Sequence, residues 1–319
     1  MRKLKWATGI FVFAAMIFLL IFLPWKMSLA VQVPLAGSPA DQDLRFEAVT
    51  LQPSDQPIAL AGWWIPADEP KASVLFIHGG NGNKTDPNFG TLQFYKALHD
   101  RHINVLAIDL RNHGASGTSS TGQLTFGREE KFDAAAGVSW LRKKQPHLPL
   151  FAAGISMGGA TLIHMSAAGT ETDGLILVDP VLSNQDVIER SLFAILGWPR
   201  FSLAPTGWVA DHFLIDRYGL RDPGTLAARQ KVPILLVADE HDPVAKVEYA
   251  RALAAKNPAV QLIILPKSNT DKPTTDQGRW AGHITAFLRQ PEIILTAIDG
   301  FVEKRISEKL PNSEASALR

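Results

Sequence analysis

From residue 149 to residue 160 the chain reads PLFAAGISMGGA, a short apolar run followed by Gly154, Ser156 and Gly158 in the pattern G-x-S-x-G. Between a strand and a helix this turn forces the serine into a strained backbone conformation, and small residues two positions to either side let the two elements approach closely. The hydroxyl of Ser156 then projects at the tip of the helix as a candidate nucleophile toward an acyl carbonyl. Acyl transfer also requires N–H donors aimed at the oxyanion, and losing one typically costs ~3 kcal/mol of transition-state stabilisation. Met157, directly after the serine, offers one backbone donor. HGGNGN at residues 78–83 comes after a second apolar run, and its glycines let the main chain turn inward, so the second donor is assigned to Gly80. His78 in the same segment is read as shaping the loop. Taken alone, G-x-S-x-G is a weak pattern that any glycine-rich turn can match; its strand-turn-helix setting gives it chemical meaning.

Positioning such groups needs a scaffold, and the chain spells one. ASVLFIHGG (72–80), INVLAIDL (103–110), PLFAAGIS (149–156), DGLILVDP (173–180), PILLVADE (233–240) and VQLIILP (260–266) are short, nearly continuous apolar runs. Strands buried on both faces of a parallel sheet have this composition. Helical stretches lie between and after them, among them FGTLQFYKALHD, KFDAAAGVSWLRKK, VEYARALAAK and PEIILTAIDGFVEKRI, the last with Pro291 in its first turn. The alternation predicts one doubly wound α/β domain, and ligands of such sheets sit beyond the carboxyl ends of the strands. Before it, RFEAVTLQ (45–52) and IALAGWWIPA (58–67) predict a hairpin at a sheet edge. The interval 181–229 breaks the rhythm with apolar, Trp-containing segments and is expected to form a small helical cap. No internal repeat or low-complexity tract is present.

The chain has 319 residues, 32 basic against 31 acidic, and no cysteine. One main domain is the default at this length. The near-neutral charge, with no dense basic cluster, argues against a nucleic-acid partner, and the lack of cysteine excludes disulfides and thiolate chemistry. Residues 6–25, WATGIFVFAAMIFLLIFLPW, carry no charge and at ~1.5 Å rise per residue would span about 30 Å of bilayer. Arg2, Lys3 and Lys5 before the span, against Lys26 after it, orient the N-terminus toward the cytoplasm. A cleaved signal peptide is the alternative, because Ser28-Leu29-Ala30 resembles a small-x-small cleavage site. The expected layout is an anchor at 1–26, a linker at 27–44, the α/β domain at 45–310 and a polar tail at 311–319. Asn83-Lys84-Thr85 is a glycosylation sequon inside the proposed oxyanion loop, where a glycan would obstruct the site; this favours a bacterial inner-membrane, periplasm-facing setting.

With AIDLRNHGASG (107–117) and ILLVADEHDPV (234–244) added to FIHGGNGN and GISMGGA, residues 45 to 306 resemble the α/β-hydrolase superfamily. Within it the chain is similar to bacterial serine aminopeptidase-like and monoacylglycerol-lipase-like hydrolases. That resemblance implies a triad in chain order serine, acid, histidine. The family's G-x-x-D-x-x-V turn places the acid at Asp242, although the family glycine is here Asp239, which leaves Asp239 and Glu240 open. Of nine histidines, His283 alone comes after the last strand, as that order requires. Relatives carry the histidine in a short turn, where this chain has Thr270; the downstream register of HITAFLRQPEIILTAIDGFV makes residues 271 to 282 an insertion before the base.

The resemblance therefore implies a serine hydrolase that cleaves a carboxylic ester or small amide through an acyl-enzyme. Ser156 is the nucleophile, His283 the base and Asp242 the residue that orients it, with Gly80 and Met157 at the oxyanion. No metal or organic cofactor is implied, and the partner is a small-molecule acyl substrate. A peptidase acting on short peptides, and an inactive membrane-anchored binding protein that keeps the fold, remain open at this point; the displaced histidine motivates the second.

Overall fold

A computed structural model describes residues 2–215, 222–266 and 282–309. Eight strands form one sheet: β1 (Glu47–Leu51), β2 (Leu60–Ile65), β3 (Ala72–Ile77), β4 (Ile103–Ile108), β5 (Leu150–Ile155), β6 (Gly174–Val178), β7 (Ile234–Asp239) and β8 (Val260–Leu265). Their spatial order is β1-β2-β4-β3-β5-β6-β7-β8. The β1–β2 and β2–β4 pairs are antiparallel and the remaining pairs parallel.

The apolar runs are continuous because both faces of the sheet are covered. Side chains alternate across a strand, and on β3 Val74 and Phe76 join one core while Leu75 and Ile77 join the other. One core holds the buried faces of α3 (Thr91–His99) and of the last helix, Pro291–Lys309. The other holds those of α4 (Glu130–Lys144), α5 (Met157–Ala167) and Val247–Lys256. Between β6 and β7 lie α6 (Asn184–Leu196), α7 (Arg200–Val209), a π-helical stretch Ala210–Ile215 and α8 (Pro223–Ala227). Ile188, Leu192, Leu203 and Ala210 form the separate small core of this cap.

The N-terminal segment is helical from α1 (Arg2–Ile17) through a π-helical stretch Phe18–Phe22 to α2 (Leu23–Ser28). Lys5–Ser28 is long and apolar enough to cross a membrane, with mean hydropathy 2.5. Residues 27–44, expected from composition to be a linker, are instead fastened to the domain. Leu29 bridges Gln123, Ala30 N–H donates to Gly122 O at 2.9 Å and Leu124 N–H donates to Ser28 O at 2.6 Å. Val31 N–H donates to Asn81 Oδ1 at 2.9 Å, and Asn83 Nδ2 donates to Val33 O and Pro34 O at 2.9 and 3.1 Å. Farther on, Ser38 and Asp41 close a capping box around the short helix Pro39–Gln42. Composition missed this because the main chain, whose donors and acceptors must be satisfied wherever they are buried, makes the bonds. The sequon asparagine is buried in the same contacts, so the amide nitrogen that a glycan would need is already bonded to the chain.

Candidate active site

At the carboxyl end of β5 the chain turns into α5 through Ser156, whose φ of 49° and ψ of −118° lie where a residue with a Cβ is strained by about 1–3 kcal/mol. Close contact permits the turn. A Cβ on Gly154 would stand 2.7 Å from the main chain of Gly158, and one on Gly158 would collide with the carbonyl oxygens of Ile77 and His78. The serine hydroxyl is thereby fixed above the sheet, at the start of α5.

The structure brings Ser156, His283 and Asp242 together. Ser156 Oγ lies 2.9 Å from His283 Nε2, and His283 Nδ1 lies 2.8 Å and 3.0 Å from the two carboxylate oxygens of Asp242. All three residues are buried. The carboxylate is itself held: Asp242 Oδ1 accepts the N–H groups of Val244 and Ala245, each at 2.7 Å. An imidazole with one nitrogen on a carboxylate and the other on a hydroxyl can take the hydroxyl's proton in the correct tautomer. Neither alternative acid reaches the histidine. Asp239 pairs with Arg289, and exposed Glu240 lies 3.3 Å from Arg251. The insertion expected at 271 to 282 lies, up to residue 281, outside the described residues; Gly282, His283 and Ile284 lie in a turn.

Gly80 lies against Met157, since a Cβ on Gly80 would meet Met157 Sδ at 3.4 Å. The loop that carries Gly80 is locked to the 109–117 loop by buried polar contacts. His78 Nδ1 bonds Gly79 O at 2.7 Å, and its Nε2 accepts the Leu110 N–H at 3.0 Å. Burial pushes the His78 ring down to about 3, with His113 adding to the shift, so the ring stays neutral and serves as a strut. Lys84 is buried on Asp109, pairing through Nζ and donating its N–H to Oδ1 at 2.8 Å. His113 Nε2 accepts the Asn81 N–H at 3.1 Å. Lys84→Met leaves the Asp109 carboxylate buried and unpaired, which costs about 3–5 kcal/mol. Thermal unfolding measured by circular dichroism is expected to show that loss, and a smaller one for Asp109→Asn with Lys84→Met combined.

Sequence reasoning passed over Asp179, at the end of β6. It is a buried residue with φ of 43°, and its Oδ1 accepts the Asp239 N–H at 2.7 Å. Burial pushes its carboxyl well above the usual carboxylate range; the nearby Asp242 adds to the shift and Arg289 opposes it. The available signal was position, immediately after an apolar run, where sites of such sheets gather. With the folded value raised, the native state holds this proton more tightly than the unfolded chain. The stability that this contributes is complete below about pH 4 and is lost as pH rises through the folded value. Asp179→Asn is expected to flatten the fall in melting temperature as pH rises above about 4.

The sheet order and the site at its carboxyl edge define an α/β-hydrolase. The fold is that of the α/β-hydrolases, and residues 68–224 match the family described as "Hydrolase_4: Serine aminopeptidase, S33". An uncharacterised Bacillus subtilis protein, YqkD, is 28% identical over 206 residues, 61% of this chain and 64% of its own length. A putative monoglyceride lipase of Schizosaccharomyces pombe is 33% identical over 126 residues, 38% of this chain and 32% of its own. The chain thus spans less than two thirds of either curated relative. Among solved structures, the Pyrococcus furiosus esterase Pf2001 superposes with a TM-score of 0.68 at 22% identity, covering 86% of this chain and 97% of that one. A thermophilic esterase from Thermogutta terrifontis gives 0.55 at 21% identity, covering 81% and 99%. At these identities the structural likeness is one of fold.

Proposed function

We propose that this chain is a serine hydrolase of the esterase and lipase kind, held in a membrane by its N-terminal helix, and that it cleaves a carboxylic ester through an acyl-enzyme. The observation that carries the reading is the continuous set of contacts from Ser156 Oγ through His283 to Asp242. Ser156 Oγ attacks the acyl carbonyl as its proton passes to His283 Nε2, and the N–H groups of Met157 and Gly80 receive the charge that develops on the carbonyl oxygen. The tetrahedral adduct collapses, the C–O bond to the alcohol breaks, and the alcohol leaves with the proton from His283. Water repeats the sequence: His283 takes its proton, its oxygen displaces Ser156, and the acid is released. Asp242 keeps the imidazole in register throughout.

An apolar surround favours an acyl group. The chamber of about 620 Å³ beside Ser156 is lined by Leu124, Phe126, Val187 and Ile188 among others, within the ~300–1,000 Å³ typical of small-molecule sites. Cleavage of short peptides is the second reading, favoured by the matched family's description as a serine aminopeptidase. The full chain in detergent, offered p-nitrophenyl acyl esters and aminoacyl p-nitroanilides, distinguishes them. Turnover of the esters alone supports the proposal, turnover of the anilides alone makes it a peptidase, and turnover of neither by a folded chain makes it a binding protein.

The apolar helix Lys5–Ser28, with the basic residues before it, supports an anchor whose N-terminus is cytoplasmic and whose hydrolase domain faces the periplasm of a bacterial inner membrane. Cleavage after Ala30 would sever the bridge to Gln123 and remove the bonds at Ser28 and Ala30. Mass spectrometry of the membrane-extracted protein is therefore expected to find residues 1–30 in place.

A further inference from the structure

The chamber beside Ser156 has a wall that the hydrolase domain does not supply. Val187, Ile188 and Ile195 of α6 line one part of it, and Pro24, Met27 and Leu29 line another. Pro24 and Met27 belong to the helix that the proposed function assigns to an anchor, and Leu29 follows its last residue directly. The character of the helix changes along its length. Phe11 and Phe13 are 75% and 66% exposed, whereas Pro24 is buried and Met27, together with Leu23, packs against the cap core formed by Ile188, Leu192, Leu203 and Ala210. Cap helix α7 also packs on this segment.

A tether would need none of this, because a flexible linker leaves its main chain to water. Here the chain leaving α2 is bonded in register to Gly122 and Leu124, next to the chamber residue Phe126, and its Val31 N–H is held by Asn81 of the Gly80 loop. Met27 and Leu29 are therefore fixed relative to Ser156. One continuous helix leads from a face suited to lipid chains to a chamber wall made of the same kind of side chain, and Trp198, Phe201 and Trp208 of the cap are themselves exposed.

We propose that the end of the N-terminal helix is a specificity-determining wall of the substrate chamber. The group bound there is the long acyl chain of an ester dissolved in the bilayer that holds the helix, with the chain against Met27 and Leu29 and its carbonyl at Ser156. The proposal rests on the reading of Ser156 as nucleophile and of the helix as anchor.

The test uses the full chain in vesicles of phosphatidylethanolamine and phosphatidylglycerol. Ethyl and hexadecyl fluorophosphonates serve as probes of short and long chain, and the second-order rate of Ser156 modification is the readout. Met27→Trp fills the wall, Met27→Gln keeps its length but makes it polar, and Phe11→Trp alters the exposed part of the same helix. Removing apolar contacts from a pocket discriminates by roughly tenfold or more. Met27→Trp is expected to slow the hexadecyl probe by about that factor and the ethyl probe by less than about twofold. Met27→Gln is expected to change the same probe in the same direction, and Phe11→Trp to change neither. If Met27→Gln slows both probes equally, or neither Met27 variant separates them, the proposal is overturned. An unaltered chain that reacts with neither probe removes the nucleophile reading, and one that fails to float with the vesicles removes the anchor reading; either result takes the proposal with it.

Discussion

His283→Ala is expected to lower kcat for ester hydrolysis by roughly 10⁵- to 10⁶-fold, with KM little changed. In the proposed mechanism the Ser156 hydroxyl passes its proton to His283 Nε2, 2.9 Å away; without that acceptor Ser156 would have to attack as a neutral alcohol. The remaining rate would come from the oxyanion donors and substrate binding, which in such sites still exceed the uncatalysed rate. The loss should not be one of folding. His283 sits in a turn at the chamber surface, and the bonds from its two ring nitrogens to Ser156 and Asp242 are those that the proposed mechanism uses. Steady-state kinetics on a short-chain ester, beside an unchanged circular dichroism spectrum, checks both parts.

Asp242→Asn is the second large effect. The carboxylate accepts from His283 Nδ1 with both oxygens and is held by the Val244 and Ala245 N–H groups. An amide can keep the bonds from those two N–H groups through its oxygen, and then presents its NH₂ to the ring. The imidazole must answer with an unprotonated Nδ1, which puts its proton on Nε2 and turns a base toward Ser156 into a donor. A change of this kind lowers kcat by ~10⁴ while leaving geometry intact. The variant is expected to recover as pH rises and hydroxide competes for the hydroxyl proton, so the pH–rate profile separates a wrong tautomer from a misfolded loop. Asp239→Asn and Glu240→Gln serve as the comparison, since their carboxylates pair with Arg289 and Arg251; neither should alter the profile in this way.

The sheet was legible because its inner strands are buried on both faces. The six apolar runs become β3 to β8, since each alternate side chain enters one of two cores, and the weaker alternation of residues 45–67 marks the antiparallel edge. The turn at Ser156 was legible for a steric reason, because Gly154 and Gly158 are required by contacts of backbone with backbone. Residues 28–36 were not legible. Their partners include Asn81, Asn83, Gln123 and Gly122, about 50 to 90 positions away, and their bonds run through the main chain, which no pattern of side chains reports. The pairing of Lys84 with Asp109 was hidden for the related reason that a buried ion pair looks, residue by residue, like two surface charges. His283 was found from its downstream neighbour, the helix that opens at Pro291, and its distance to Ser156 depends on a fold that closes 127 positions of chain.

The central claim is that Ser156 is a nucleophile activated by His283, and covalent labelling tests it most directly. A fluorophosphonate offers phosphorus in place of the acyl carbon: Oγ forms the P–O bond, fluoride leaves, and the hydroxyl proton passes to His283. The full chain is expected to gain the mass of one phosphonyl group, fragmentation to place it on Ser156, and Ser156→Ala and His283→Ala to remain unlabelled under the same conditions. A folded wild-type chain that takes up no label, or a label that persists in Ser156→Ala, would contradict the claim.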